Sequence, residues 1–342
     1  MPAREKGFGP TMAEVAELAG VTKMTVSRVL RHPDKVMPET RQRVSDAMTK
    51  LGYVANRVAG SLTNGASGLV AAIVPTLRHS LFADTLEGLS DVLSGAGLDL
   101  IVSSSAYRTD VEESQIRAIL ERRPDALVLT GLTHTKGARQ LLRPFGIPVV
   151  ETWETGDQPV DMVVGFSNRD AAYAMTSHLV KAGYRRIVFV NGPSDNNERA
   201  RHRAEGYLAA LKDAGLRAPP IHVVHDEGAI LAETGARAIR ELRAADAKVD
   251  AVFFTSDIFA VGAIVACREL GISIPDQLGI AGFHDLEVGR VVSPTLTTVH
   301  VPALEMGRQA GIMILSRLGG SAPKGKKKRE LDFTIMPRGS TR

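Results

Sequence analysis

Cysteine and tryptophan each occur once in this chain, and aromatic residues make up only 5% of it. A lone Cys267 has no partner for an internal disulfide, which fits a reducing cytoplasm; it falls in an expected amphipathic helix, where it is read as a packing residue. No run of about 18 apolar residues occurs, so no membrane span is expected. The opening MPAREKGFGP lacks the apolar centre of a secretory signal, so export is not expected either. Catalytic signatures are also missing: there is no G-x-G-x-x-G after a strand, no G-x-x-x-x-G-K-[ST], no H-E-x-x-H and no G-x-S-x-G. The nine histidines show no metal-ligand spacing. These absences speak against an enzyme and call for neither cofactor nor metal.

Charge is unevenly spread. Residues 1–65 carry ten Lys/Arg against six Asp/Glu, residues 66–323 carry 25 against 30, and the last nineteen carry seven against two. A basic head on a mildly acidic body suits a head that meets a polyanion. The head contains TMAEVAELAGVTKMTVSRVL, residues 11–30. Thr11 with Glu14 is a capping box, and Met12, Val15, Ala16 and Ala19 follow with the spacing of one buried helical face. Gly20 and Val21 interrupt the helix, and Thr22 can cap a second one. In that second helix Val26, Val29 and Leu30 are expected inside, leaving Lys23, Met24, Thr25, Ser27 and Arg28 outside. Two short helices joined by a tight turn form a helix-turn-helix. Pro38 opens a third helix with Val44, Ala47, Met48 and Leu51 on its apolar stripe. Lys23, Met24 and Arg28 suit base edges, since arginine can grip guanine O6 and N7 and methionine can touch a thymine methyl. Thr22, Thr25, Ser27 and Thr40 suit phosphates.

From Leu69 the texture changes. Continuous apolar runs at 69–74, 98–102, 126–129, 147–150 and 161–164, then at 187–190, 221–224, 251–254 and 278–281, read as buried strands. Amphipathic stretches at 83–95, 111–122, 169–182, 203–214, 230–245 and 258–270 read as helices between them. Such alternation predicts parallel sheets covered on both faces, in two doubly wound α/β subdomains with ligands at the carboxyl ends of the strands. His79, Ser80, Phe82 and Thr130 lie just past strand ends and are candidate ligand contacts.

The run A-x-x-A-G-V-[ST]-x-x-T-V-S-R-V-L, followed by Gly-Tyr-x-x-Asn-x-x-Ala-x-x-Leu, resembles the lactose/galactose repressor family. It is carried here by Ala16, Ala19 to Thr22, Thr25 to Leu30, Gly52, Tyr53, Asn56, Ala59 and Leu62. The overall look is closest to the gluconate-utilisation branch of that family. The resemblance implies a helix-turn-helix headpiece over 1–53, a hinge over 54–66 and a type I periplasmic-binding-protein-like effector domain over 67–342. The N-subdomain would take about 67–167 plus 299–325, and the C-subdomain about 168–295 plus 328–340. It implies base reading by Lys23, Met24 and Arg28. It also implies a hinge, including Asn56 and Ala59, that folds only when two copies pair on DNA, with Leu62 wedged into the minor groove. Residues 54–66 otherwise read as a plain linker, and SAPKGKKKRE near the end as a solvated turn or a second DNA contact.

By the same resemblance Arg203, before Gly206-Tyr207, is a cleft arginine. Asn168, Ser256 and His284 stand where the family has polar contacts, with Ser167 and His284 replacing its usual carboxylates. Two lost carboxylates and a retained arginine favour an anionic ligand. In a sugar acid, Arg203 and His284 would take the carboxylate, and Ser80, Thr130, Asn168 and Ser256 the hydroxyls. Trp153 could floor the site or be a core or rim residue. The implied protein is a homodimeric regulator, with tetramerisation open, that binds near-palindromic double-stranded operator DNA under control of a sugar or sugar-acid effector. A sugar-binding transport-type protein and a sugar-acid enzyme are the alternatives.

Overall fold

The computed structural model describes residues 9–54, 66–78, 82–192, 197–224, 231–245, 248–319 and 327–342. The chain separates into two compact units, Met1–Ser67 and Gly68–Arg342.

In the first unit α1 (Met12–Ala19) begins with the expected capping box. The Glu14 amide donates to Thr11 Oγ1 at 3.4 Å, and the Thr11 amide donates to Glu14 Oε2 at 2.7 Å. Gly20 ends the helix at φ 64°, a left-handed conformation that costs glycine little. Thr22 caps α2 (Lys23–Arg31) by accepting from the Thr25 amide, and Pro38 opens α3 (Pro38–Leu51). Val15, Ala16, Ala19, Val26, Val29, Val44 and Ala47 form the core. Leu30, expected inside, is instead 37% exposed. Consecutive residues on a helix diverge by about 100°, and Val26 with Val29 already fills the narrow gap between three short helices. The hinge residues Asn56, Ala59 and Leu62 lie outside the described residues.

The second unit contains two lobes. The first has a parallel sheet of β1 (Leu69–Val74), β2 (Asp99–Ser104), β3 (Ala126–Thr130), β4 (Val149–Thr152), β5 (Met162–Gly165) and β11 (Lys328–Glu330), in the order β2-β1-β3-β4-β5-β11. Helices α4 (Ala83–Gly95), α5 (Thr109–Leu120) and α6 (Lys136–Leu142) connect its strands. The second lobe has β6 (Ile187–Asn191), β7 (His222–Val223), β8 (Ala251–Phe254) and β9 (Gly279–Ala281), parallel in the order β7-β6-β8-β9. Its helices are α7 (Asn168–Lys181), α8 (Glu198–Asp213), α9 (Ala232–Ala244) and α10 (Asp257–Glu269), with the short α11 (Glu287–Val291) beyond. The buried strand residues are mostly Val, Ile, Phe, Leu and Ala, because a two-sided parallel sheet offers no wet face; Glu151 and Thr152 on β4 and Asn191 on β6 are buried polar exceptions.

Two features depart from the expectation. The 16-residue α12 (Ala303–Leu318), for which no helix was expected, packs on α4 so closely that a Cβ on Gly307 would lie 1.9 Å from the Thr85 carbonyl oxygen. Segment 328–330, assigned above to the C-subdomain, is β11 and pairs with β5, Lys328 opposite Val163 and Glu330 opposite Gly165. Its charged residues suit an outermost strand, whose free edge faces solvent. The chain therefore leaves the first lobe for the second after Glu330. There the chain enters β12 (Thr334–Met336), antiparallel to β10 (Thr298–His300). The terminal segment then seals the second lobe: Ser340 Oγ donates to the Ile280 carbonyl at 2.6 Å, and Arg338 Nη2 reaches Asp285 Oδ1 at 2.6 Å.

Candidate functional site

On the headpiece, Lys23, Met24 and Arg28 are exposed, Met24 at 71%, while Val26 and Val29 on the opposite face are buried. Thr25, Ser27 and Thr40 are half-buried. Thr22 is exposed but its hydroxyl is occupied: it accepts from the Thr25 amide and lies 3.0 Å from Thr25 Oγ1. Arg28 and Arg31 stand in the last turn, where positive charge suits the carbonyl end of a helix. The result is a short helix pinned by its cap and by two valines, presenting a basic face with one large thioether.

In the body, both sheets reverse strand order at one point, between β1 and β3 and between β6 and β8. Crevices at such points are where open α/β sheets bind ligands. The segments beyond these strand ends meet in a cleft between the lobes. From the first lobe come Phe82, Tyr107, Thr130 and Trp153; from the second come Arg199, Arg203, Phe283 and His284. Phe82 and Trp153 meet edge to face with centroids 4.9 Å apart, and Trp153 meets His284 across the cleft at 5.9 Å. The Arg203 guanidinium lies 3.9 Å from the Phe283 ring centroid and that of Arg199 lies 6.0 Å from Phe82.

The lobes are joined by directed bonds as well as by rings. Asn168 Nδ2 donates to the Trp153 carbonyl at 2.7 Å and to Glu154 Oε2 at 3.2 Å. Its Oδ1 accepts from Arg203 Nε at 2.8 Å. His202 Nδ1 lies 2.8 Å from Glu154 Oε2, and the Leu132 amide donates to Glu198 Oε1 at 2.7 Å. Gly131 makes that last contact possible: its φ is 89°, and a Cβ there would lie 2.3 Å from Glu198 Oε1. Gly206 lets α8, which carries both arginines, approach α7, since a Cβ would meet the Arg169 carbonyl oxygen at 2.0 Å.

Electrostatics separate the two groups expected to take a carboxylate. Burial pulls Arg203 down to about 9, with the neighbouring Arg199 charge adding to the effect, so it still carries its proton at neutral pH. Burial pulls His284 well below its ordinary value, and Arg203 and Arg199 push the same way. The charged form of His284 is therefore disfavoured where it stands, in contrast to Arg203. Two polar atoms, Trp153 Nε1 and His284 Nδ1, are buried without a hydrogen-bond partner among the described residues. Backbone strain gathers here too: Ala106, Tyr107, Trp153, His284 and Asp285 all have positive φ, a conformation that costs of order 1–3 kcal/mol per non-glycine residue. Beneath the loop, Asp257 accepts from the Leu286 amide at 2.7 Å and from Thr298 Oγ1 at 2.5 Å, and burial pushes its carboxyl up to about 6.

The other candidates are placed as follows. Ser256 caps α10 by accepting from the Ile258 amide and is 2% exposed. Thr130 donates to the Ile73 carbonyl at 3.2 Å. Asn168 is fully occupied as a bridge between the lobes. His79 and Ser80 lie outside the described residues. Arg199, Tyr107, Glu154, Glu198 and His202 were not anticipated; the four-residue spacing of Arg199 from Arg203 in ERARHRA was the available signal. Cys267 packs inside α10, its thiol pushed up to about 12 by burial.

No helix among the described residues is long and apolar enough to cross a membrane. The model for bacterial regulatory proteins of the lacI family matches residues 11–56, and that for a periplasmic binding protein-like domain matches residues 176–341. The HTH-type transcriptional regulator GntR of Escherichia coli (strain K12) is 35% identical over 331 residues, covering 97% of this chain and 98% of that protein. Among solved structures, a lacI-family transcriptional regulator from Silicibacter pomeroyi matches with a TM-score of 0.90 at 34% identity, over 97% of this chain and 99% of its own. A complex of the transcriptional regulator CelR with cellobiose matches with a TM-score of 0.69 at 29% identity, over 97% and 99% of the two chains. With a headpiece and a two-lobed body both aligned to such regulators over nearly their whole length, this chain belongs to the lacI family of bacterial regulatory proteins and is a DNA-binding transcriptional regulator, not an enzyme.

Proposed function

We propose that the chain is a cytoplasmic, homodimeric repressor of sugar-acid utilisation genes, with a gluconate-like effector in the cleft between its lobes. The observation that carries the anionic effector is Arg203, 6% exposed between the lobes, together with two buried unpartnered polar atoms, Trp153 Nε1 and His284 Nδ1. A buried charge is costly unless a counter-charge joins it, and unpaired buried polar atoms add to that cost. A carboxylated polyol answers both. Trp153 and Phe82 offer apolar faces to its C–H groups. The likeness to a regulator captured with cellobiose supports a sugar-like ligand, and the likeness to GntR supports the narrower branch.

Lys23, Met24 and Arg28 read base edges, and Thr25, Ser27 and Thr40 hold phosphates with Thr22 fixing the helix start. Two headpieces reach half-sites about one helical turn apart on an inverted repeat. Residues 54–66 serve as the hinge, through Asn56, Ala59 and Leu62. Ligand acts only through its difference in affinity between operator-competent and incompetent forms, a coupling of about 1–3 kcal/mol.

The test is selection of duplexes from a random pool by full-length protein, followed by titration of the selected duplex with D-gluconate and with neutral sugars. Enrichment of an inverted repeat whose affinity shifts about tenfold or more with the acid, and not with the neutral sugars, is expected. Enrichment of no repeat defeats the operator reading; a shift with neutral sugars alone defeats the acid reading.

A further inference from the structure

We propose that Arg199 and Tyr107 complete, with Arg203, a two-guanidinium clamp for the carboxylate of the effector, and that Arg199 is the residue that makes the cleft select an acid over the neutral polyol of the same shape. The inference rests on the sugar-acid reading above and names the group that enforces it.

Arg199 and Arg203 are one helical turn apart on α8 and share a face. Both are nearly withdrawn from water, at 7% and 6% exposure. Their bonding differs. Arg203 is tied down: Nε donates to Asn168 Oδ1 at 2.8 Å, and Nη1 donates to the Thr255 carbonyl at 2.9 Å. The side chain of Arg199 has one long bond among the described residues, Nε to Asn197 Oδ1 at 3.4 Å, and otherwise faces the Phe82 ring. A guanidinium has five N–H donors, so most of Arg199 is unspent.

The acidic side chains nearby spend their hydrogen bonds elsewhere, although the Glu198 charge also reaches Arg199. Glu198 accepts from the Leu132 amide, and Glu154 accepts from Asn168 and the Thr155 amide and meets His202. Both are spent on holding the lobes together. Tyr107, on the first lobe at φ 59°, lies within electrostatic reach of both guanidinium groups. Burial raises its phenol above the ordinary value, while the positive charges of Arg199 and Arg203 pull the other way, which keeps the hydroxyl protonated and available as a donor. Burial and the two arginines disfavour a charge on His284, so the guanidinium that stands beside Arg203 for an anion is that of Arg199. A carboxylate has two oxygens and about four acceptor sites, enough for one oxygen on each guanidinium with the phenol as a further donor. A neutral hydroxymethyl group in the same place would leave the unspent donors of Arg199 without an anionic acceptor of their own, because the nearby Glu198 carboxylate already accepts from the Leu132 amide, the circumstance in which a polar site rejects a near-isostere most strongly.

Titration calorimetry on the full-length protein tests this with D-gluconate and with sorbitol, which has a hydroxymethyl group where gluconate has its carboxylate. Wild type is expected to prefer gluconate at least tenfold. Arg199→Gln should weaken gluconate about tenfold or more, equivalent to about 1.4 kcal/mol. Sorbitol affinity should stay within about threefold, Arg199→Lys should recover part of the loss, and Tyr107→Phe should weaken gluconate several-fold. Thermal unfolding checks that each variant is folded; were Arg199→Gln to fail, Arg199→Lys and the half-buried Tyr107→Phe decide. Gluconate affinity within threefold of wild type in Arg199→Gln, or equal losses for both ligands with no recovery by lysine, overturns the clamp and leaves the sugar-acid reading standing. A wild type that binds neither ligand, or prefers sorbitol, overturns that reading and the clamp with it.

Discussion

On the headpiece, the side chains proposed to face DNA stand in water: Met24 is 71% exposed, and Lys23 and Arg28 are exposed beside it. Between the lobes, the side chains proposed to face effector are almost dry, and most are already bonded to other groups. The contrast follows from the partners. Duplex DNA brings a dense, long-range charge and a rigid groove, so a helix need only be held straight and present its residues. A small ligand brings few atoms, so its site must be prepared in advance, with strain, buried charge and unmet hydrogen bonds held by the surrounding fold.

The strongest way to break this comparison is to remove a buried charge from the body. His134 lies with its side chain fully buried between Glu112 at 2.6 Å and Glu151 at 3.0 Å, and it anchors the loop that carries Gly131 and Leu132. Replacing it with leucine strands two carboxylates and should cost the body about 3–5 kcal/mol in denaturant titration, while the headpiece transition stays in place. The same cluster predicts a pH dependence. Burial works against the charge on His134, but hydrogen bonds to Glu112 and Glu151 outweigh it and raise the imidazole to about 9. Because the folded value lies above the ordinary 6.5, the contribution is complete below that pH and disappears as pH climbs toward 9. The thermal midpoint of the body should fall over that window in wild type and stay flatter in His134→Leu.

Arg28→Ala sharpens the comparison from the other side. A lost arginine–guanine grip is worth about 1–3 kcal/mol, a roughly ten- to hundredfold drop in operator affinity, with gluconate titration unchanged. Gly131→Ala should act in reverse. A Cβ meeting Glu198 pries at the bond between the lobes, so effector affinity should fall by about 1–2 kcal/mol of coupling while operator binding without effector is retained. The smallest effect is expected from Thr11→Ala, which removes the capping box and should lower headpiece stability by about 1 kcal/mol in hydrogen exchange.

The parts legible in the sequence were those built from neighbours. Caps at Thr11 and Thr22, the Gly20 turn and the order of apolar strands depend on residues a few positions apart, and all stand where the pattern put them. Leu30 misled because helical periodicity cannot say how wide a core is. Segment 328–330 misled because a three-residue charged strand has no pattern of its own and is defined by the edge it joins. Arg199 was hidden for a related reason: ERARHRA reads as a solvated face, and only the approach of α8 to the first lobe removes it from water.

The sequence by itself determined a basic helix-turn-helix ahead of a two-lobed α/β body, because periodicity, capping and turn chemistry are local. Tertiary structure alone decided which groups face one another between the lobes, that burial disfavours a charge on His284 and that Arg199 is buried beside Arg203. Burial and charge at a distance depend on segments brought together from more than a hundred residues apart, and no short stretch of chain encodes them.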